Sequence, residues 1–266
     1  MKIKSQPIIF CAQQRSGTTV LQAAFHASHK CKNYGEVFHD EYQNFNKEFS
    51  FFKVREQMIK ESPNLCVPFT NNQKFVFDGF FDLLQKSSQA PFHVIDVKYN
   101  SWHHFNTTWH SPMEPPTMLQ FIMGNKIPII HIKRRNLLHQ YLSLKVAISS
   151  GKFHYNKNER GKQRKKIRIQ PNHCKMSMRI VRKDVNNFQY WLANYPFYYE
   201  VVYEEMIIAN KFSNQLNSIV SEITNGEITR LGDPPLKKGI SDPFALIENK
   251  DELINALKNS NFREFV

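Results

Sequence analysis

Cysteine is scarce in this chain. Four residues, Cys11, Cys31, Cys66 and Cys174, are spread over 266 positions with no C-x-x-C pair. That excludes a disulfide framework, which crowds many cysteines into a short secreted domain, and points to reduced thiols in a cytoplasmic protein. Long apolar runs are also missing. No stretch approaches the roughly 20 apolar residues that a membrane helix needs. The apolar segment inside MKIKSQPIIFCAQQRSG is too short for a signal-peptide core. The expectation is a soluble, unsecreted protein with no membrane span. Acidic residues are in deficit: 23 Asp and Glu stand against 36 Lys and Arg, a net charge of +13. Such a balance calls for an anionic partner, whether nucleic acid, acidic lipid, or a phosphorylated or sulfated small molecule. No internal repeat is present.

What is there fits one globular unit. The chain is 41% hydrophobic and 22% charged, enough for a large core, and its length lies within the range of a single α/β domain, here residues 1–266. The positive charge is concentrated at residues 152–168, with eight Lys/Arg and one Glu. Removing that segment's net charge of about +7 leaves roughly +6 for the body of the protein. Residues 152–171 read as a basic insertion, either a mobile flap or a solvated surface loop.

Residues 8–12 form a short apolar run of the kind that makes a buried strand. A polar loop follows, and then TVLQAAFHA at 19–27 reads as a helix. Residues 92–99 (FHVIDVKY) alternate apolar and polar and read as another strand; 127–133 (IPIIHIK) read as a third. A helix is expected over 137–149, stopped by Gly151. Residues 198–203 give a fourth strand, with an amphipathic helix from about Glu204. Met178, Val181, Val185, Phe188 and Leu192 recur at spacings of three and four, one buried helix face. Strands alternating with helices predict a mostly parallel sheet flanked by helices on both sides.

Two segments carry chemistry. In AQQRSGTT, between the first strand and its helix, Gly17 lets backbone approach an anion without a Cβ in the way. Helix N-terminal N–H groups attract negative charge. Arg15 brings a permanent charge and a planar fork of donors, and Ser16, Thr18 and Thr19 bring hydroxyls. The Walker A pattern is not met: Ala12 and Thr18 stand where it needs Gly and Lys. An ordinary strand-to-helix turn is the plainer reading. The second segment, IIHIKRRNLLHQYLS, puts Arg135 at a strand's carboxyl end and Ser143 eight residues on, about two helical turns away. Ligands of open α/β sheets bind at that edge. Arg134 is the alternative to Arg135, and surface arginines at a helix start are the plainer reading.

An Arg or Lys followed by Ser-Gly-Thr-Thr, with an Arg and a Ser eight apart some 120 residues later, resembles the PAPS-dependent sulfotransferases. Here PAPS is 3′-phosphoadenosine 5′-phosphosulfate. The likeness is to the bacterial and carbohydrate-acting branch, with long unmatched stretches at 40–90 and 152–195. It implies a three-layer, P-loop-like fold. It implies that Arg15, Ser16, Gly17, Thr18 and Thr19 hold the 5′-phosphosulfate, and that Arg135 and Ser143 hold the 3′-phosphate, with Lys238 and Gly239 of the Lys-Lys-Gly tail segment assisting. Tyr203-Glu204-Glu205-Met206 resembles a structural segment of the family. The resemblance also implies sulfuryl transfer to a hydroxyl of a carbohydrate-like acceptor, without a metal, leaving 3′-phosphoadenosine 5′-phosphate.

In carbohydrate-acting relatives a Glu after the first helix is the base. The matching segment is NYGEVFHDEY, which makes Glu36 the general base. Arg15 then stabilises the transferring group; it stays charged and cannot protonate it. His39, His103 and His104 are alternative bases. Trp102, Phe105 and Trp109 are either sugar-stacking surfaces or core. His26, His29 and Cys31 lack the second cluster of a zinc site. A nucleotide-dependent kinase is the rival enzyme, weakened by the missing Walker Lys. A basic polyanion-binding protein using residues 152–168 is the non-enzymatic rival, though no nucleic-acid-binding motif accompanies that stretch.

Overall fold

The computed structural model describes residues 5–39, 49–111, 113–151, 166–234 and 242–266. Its centre is a five-stranded sheet of β1 (Gln6–Ala12), β2 (Cys31–Gly35), β3 (Phe92–Lys98), β4 (Ile129–Lys133) and β5 (Tyr198–Val202). The strand order is β2-β3-β1-β4-β5 and every pairing is parallel. After β3 the chain crosses β1 to begin β4 on its other side. The topology therefore switches around β1, where open parallel sheets form a crevice at their carboxyl ends.

Side chains alternate between the faces of a strand, and the two faces of this sheet carry different cores. Ile9, Cys11, Ile95, Val97 and Ile129 pack against a phenylalanine-rich layer. That layer comes from α2 (Phe51–Glu61), α3 (Thr70–Lys86), α4 (Thr117–Gly124) and α6 (Pro171–Leu192). On the other face Ile8, Phe10, Val94, Ile130 and Ile132 meet Leu21 and Phe25 of α1 (Thr18–Ala27) and Leu216 and Val220 of α8 (Asn214–Ile223). A third cluster ties α5 (Leu137–Ser150) to α6 and α9 (Lys250–Lys258). The result is a helix–sheet–helix arrangement, as the alternating pattern predicts. The helix face at 178–192 lies on α6, with Met178, Phe188 and Leu192 buried, and Gly151 ends α5 in the left-handed conformation.

Strand β3 is buried along its whole length. Its polar positions His93, Asp96 and Lys98 are interior, because helices cover both faces of a central strand. The helix expected from Glu204 is a single turn, α7 (Tyr203–Met206), followed by the hairpin of β6 (Ile207–Ile208) and β7 (Lys211–Phe212) before α8 begins. The basic insertion does not run to 171. Ile167 bridges to Ile247, Ile169 is buried, and Pro171 opens α6. Residues 152–165 lie outside the described residues, as do Lys238 and Gly239.

Among the described residues, no helix is long and apolar enough to cross a membrane.

The phenylalanines position the site. Phe38, fully buried, contacts the rings of Phe51, Phe80 and Phe105 at centroid distances of 5.0, 5.2 and 5.6 Å. The Phe51 N–H donates to the Val37 carbonyl. The two residues after Glu36 are thus pinned into the core, which fixes the segment carrying that carboxylate.

Candidate active site

The carboxyl edge of the sheet presents its polar side chains in strand order. Glu36 follows β2, Lys98 ends β3, the 13–17 loop follows β1, Arg134 and Arg135 follow β4, and Glu204 and Glu205 follow β5. Residues far apart in sequence meet because all five strands point the same way.

The 13–17 loop is held in an unusual shape. Arg15 and Gly17 both have positive φ, 64° and 82°. For a non-glycine residue this conformation costs about 1–2 kcal/mol, so its neighbours must fix it. Gln140 of α5, buried, donates from Nε2 to the Gln14 carbonyl and to Ser16 Oγ, both at 2.9 Å. Arg134, also buried, donates to the Arg15 carbonyl at 3.1 Å and stacks over the Tyr203 ring at 4.6 Å. A Cβ on Gly17 would lie 2.8 Å from that same ring. Gly17 caps α1 with no side-chain cap, and the first turn of α1 carries no acidic residue. The helix start is therefore left electropositive.

The two predicted phosphate motifs come together: Arg15 Nε donates to Ser143 Oγ at 3.2 Å across 128 residues of sequence. Ser16 is buried beneath the loop, while Thr18 is buried and Thr19 half-buried at the helix start. The two arginines after β4 divide in role. Arg134 is interior and braces the loop; burial lowers its pKa, opposed by Tyr203 and Glu204. Arg135 is 66% exposed and its guanidinium pairs with Glu205. The Arg135 and Asn136 N–H groups both donate to the Glu204 carboxylate, at 2.9 and 3.1 Å. Asn136 caps α5 by accepting from the His139 N–H at 2.8 Å. The Tyr203–Met206 turn thus buttresses the segment that follows β4.

Glu36 is 27% exposed and sits 3.4 Å from the Lys98 ammonium. Burial raises its pKa; the Asp96 charge adds to the rise, while Lys98 and His39 oppose it. Lys98 also donates to Thr18 Oγ1 at 2.8 Å and to Asp96 Oδ2 at 2.6 Å. One ammonium therefore links the base candidate to the start of α1. Sequence reasoning missed Lys98, Asp96, Gln22 and Gln140. The available signal was Asp and Lys at alternate positions of an otherwise apolar strand, HVIDVK.

His103 is exposed, and the His104 side chain lies outside the described residues. Trp102 and Phe105 are fully buried and belong to the core, while Trp109 is 93% exposed. Cys31 is buried, and among the described residues no group of three or more His, Cys, Asp or Glu is placed to hold a metal ion. No protein-family model matches the chain, and no curated protein matches it.

Proposed function

We propose that the protein is a PAPS-dependent sulfotransferase with a P-loop-like site, acting on a hydroxyl of a carbohydrate-like acceptor. The observation that carries this reading is the Arg15–Ser143 contact. Residues assigned separately to the 5′-phosphosulfate and the 3′-phosphate touch at the carboxyl edge of a parallel sheet, 3.2 Å apart.

The roles follow from the positions. The backbone of the 13–17 loop and the start of α1 face the 5′-phosphosulfate. Arg135 turns to the 3′-phosphate: an exposed ion pair such as Arg135–Glu205 is worth only about 0–1 kcal/mol, so a phosphate dianion competes for the guanidinium. Glu36 accepts the acceptor's hydroxyl proton as the oxygen attacks sulfur. The S–O bond to the 5′-phosphate breaks, and its electron pair leaves with 3′-phosphoadenosine 5′-phosphate. Arg15 and Lys98 balance the negative charge that develops on the sulfuryl and phosphate oxygens. Of Trp102, Phe105 and Trp109, Trp109 is the exposed one, on the segment after β3, and so the one available to an acceptor.

One observation favours a second reading. Lys98 delivers an ammonium to Thr18, the position at which a Walker A loop would carry its Lys. A phosphotransferase using ATP therefore stands as the alternative. Thermal unfolding with each nucleotide separates the two. At about 100 times Kd a ligand adds about 2.7 kcal/mol, a rise of roughly 5–10 °C for a chain of this size. The rise is expected with 3′-phosphoadenosine 5′-phosphate and not with ATP; the reverse result overturns the sulfotransferase reading.

A further inference from the structure

We propose that Asp96 is a positioning residue: it seats the Lys98 ammonium against Thr18 and draws it away from Glu36, so that the base is guided by the lysine without being neutralised by it. The geometry stands by itself; the catalytic consequence rests on the sulfotransferase reading above.

Asp96 lies on β3 with a fully buried side chain. A buried carboxylate needs several donors to offset its lost hydration. Asp96 Oδ2 accepts two hydrogen bonds, from Lys98 Nζ and from Gln22 Nε2, both at 2.6 Å. Each donor leads onward. Gln22, one turn along α1 from Thr18, accepts at Oε1 from Asn33 Nδ2 at 3.2 Å. Asn33 Oδ1 in turn accepts from the Gly35 N–H at 2.9 Å, and the next residue is Glu36. Lys98 reaches Thr18 at 2.8 Å and Glu36 at 3.4 Å. One branch from Asp96 therefore sets the backbone entering Glu36, and the other sets the cation beside it.

The distances rank the partners of Lys98: Asp96 first, Thr18 next, Glu36 last. A carboxylate in a private ion pair with lysine is a weak base, because the cation favours its ionised form. A lysine shared with Asp96 exerts a much smaller net field on Glu36, and burial then decides its proton affinity. Among the described residues, the titratable groups acting on Glu36 are Lys98 and Asp96 from β3 and His39 from its own segment. Helix α1 faces the network with neutral Thr18 and Gln22.

The test is a carbon-13 NMR titration of glutamate side-chain carboxyls, with the Glu36 resonance assigned from Glu36→Gln. Asp96→Asn keeps the shape and removes the charge, and the Glu36 midpoint is expected to fall by about one pH unit or more. Lys98→Met should raise it by a similar amount. The double variant Asp96→Asn/Lys98→Met carries neither charge and should return the midpoint close to wild type. It keeps the test available where a lone buried charge unfolds the protein. An unmoved midpoint in the folded single variants, or a displaced one in the double variant, overturns the proposal. Calorimetry with 3′-phosphoadenosine 5′-phosphate on the same proteins separates the two levels. Binding by all of them with an unmoved Glu36 midpoint removes the role of Asp96 and leaves the sulfotransferase reading standing. No binding by wild type with the expected midpoint shifts does the opposite.

Discussion

Replacing Gly17 by alanine tests how the loop is built. Two costs arise. The backbone at residue 17 has φ of 82°, a conformation that costs an L-residue about 1–2 kcal/mol. The new Cβ would sit 2.8 Å from two Tyr203 ring carbons and 3.0 Å from Met206 Cε. Both neighbours are held, Tyr203 by the Arg134 guanidinium on its face and Met206 by full burial. Relief of the clash must come from shifts of backbone or ring, at about 1–3 kcal/mol. The sum is about 2–5 kcal/mol, a loss of roughly 4–20 °C in Tm. Thermal and urea unfolding measure it. A double-mutant cycle then divides it: removing the ring with Tyr203→Ala should cost less in the Gly17→Ala background than in wild type, with a coupling of about 0.5–3 kcal/mol. The strain part should survive the cycle. Gly17→Ala within about 0.5 kcal/mol of wild type, or a strictly additive cycle, would refute the account of the loop.

The two arginines after β4 should separate cleanly. Arg134→Met, which removes the brace on the Arg15 carbonyl, should destabilise by about 1–3 kcal/mol; Arg135→Ala should change stability by less than about 0.5 kcal/mol yet weaken nucleotide binding about tenfold or more. Unfolding curves and binding isotherms on both variants check this, and the opposite pattern would exchange their roles. Glu36→Gln should lower turnover by about 100-fold or more with nucleotide affinity retained. A base must be unprotonated, and burial lifts the Glu36 pKa above its usual 4.5; turnover should therefore rise with pH through a midpoint above 4.5, and a midpoint below it contradicts the assignment. Phe51→Ala empties the centre of the phenylalanine cluster and should cost about 3–5 kcal/mol, measured by urea unfolding.

The parts of the fold that were legible in the sequence are those where local signals agree. At β1, the 13–17 loop and α1, an apolar run, a glycine and a helical period follow one another within about twenty residues. The β4–α5 unit is similar, with Asn136 and Gly151 marking the ends of its helix. Strand β2 was not legible. CKNYG is short and polar, and it is a strand because it pairs with β3 at the sheet edge. The turn at Ala209 and Asn210 was hidden for another reason. Both residues have positive φ, suited to a two-residue hairpin, but alanine gives no notice of that conformation. The interior position of Asp96 and Lys98 was not legible, because period-two alternation ordinarily marks a strand with one wet face, whereas here Lys98 Nζ donates to Asp96 Oδ2 inside the protein. Glu36 and Arg15 were found by resemblance; that Lys98 stands between Glu36 and the start of α1 depends on the order of strands, which no local pattern encodes.

The most direct test of the central claim is calorimetric titration of 3′-phosphoadenosine 5′-phosphate into the wild-type protein, Arg15→Ala and Arg135→Ala, with ATP as the control. The account predicts micromolar binding by wild type, about −8 kcal/mol, weakened at least tenfold in each variant, and markedly weaker binding of ATP. Absence of binding by folded wild-type protein, or equal affinity in all three proteins, would contradict it.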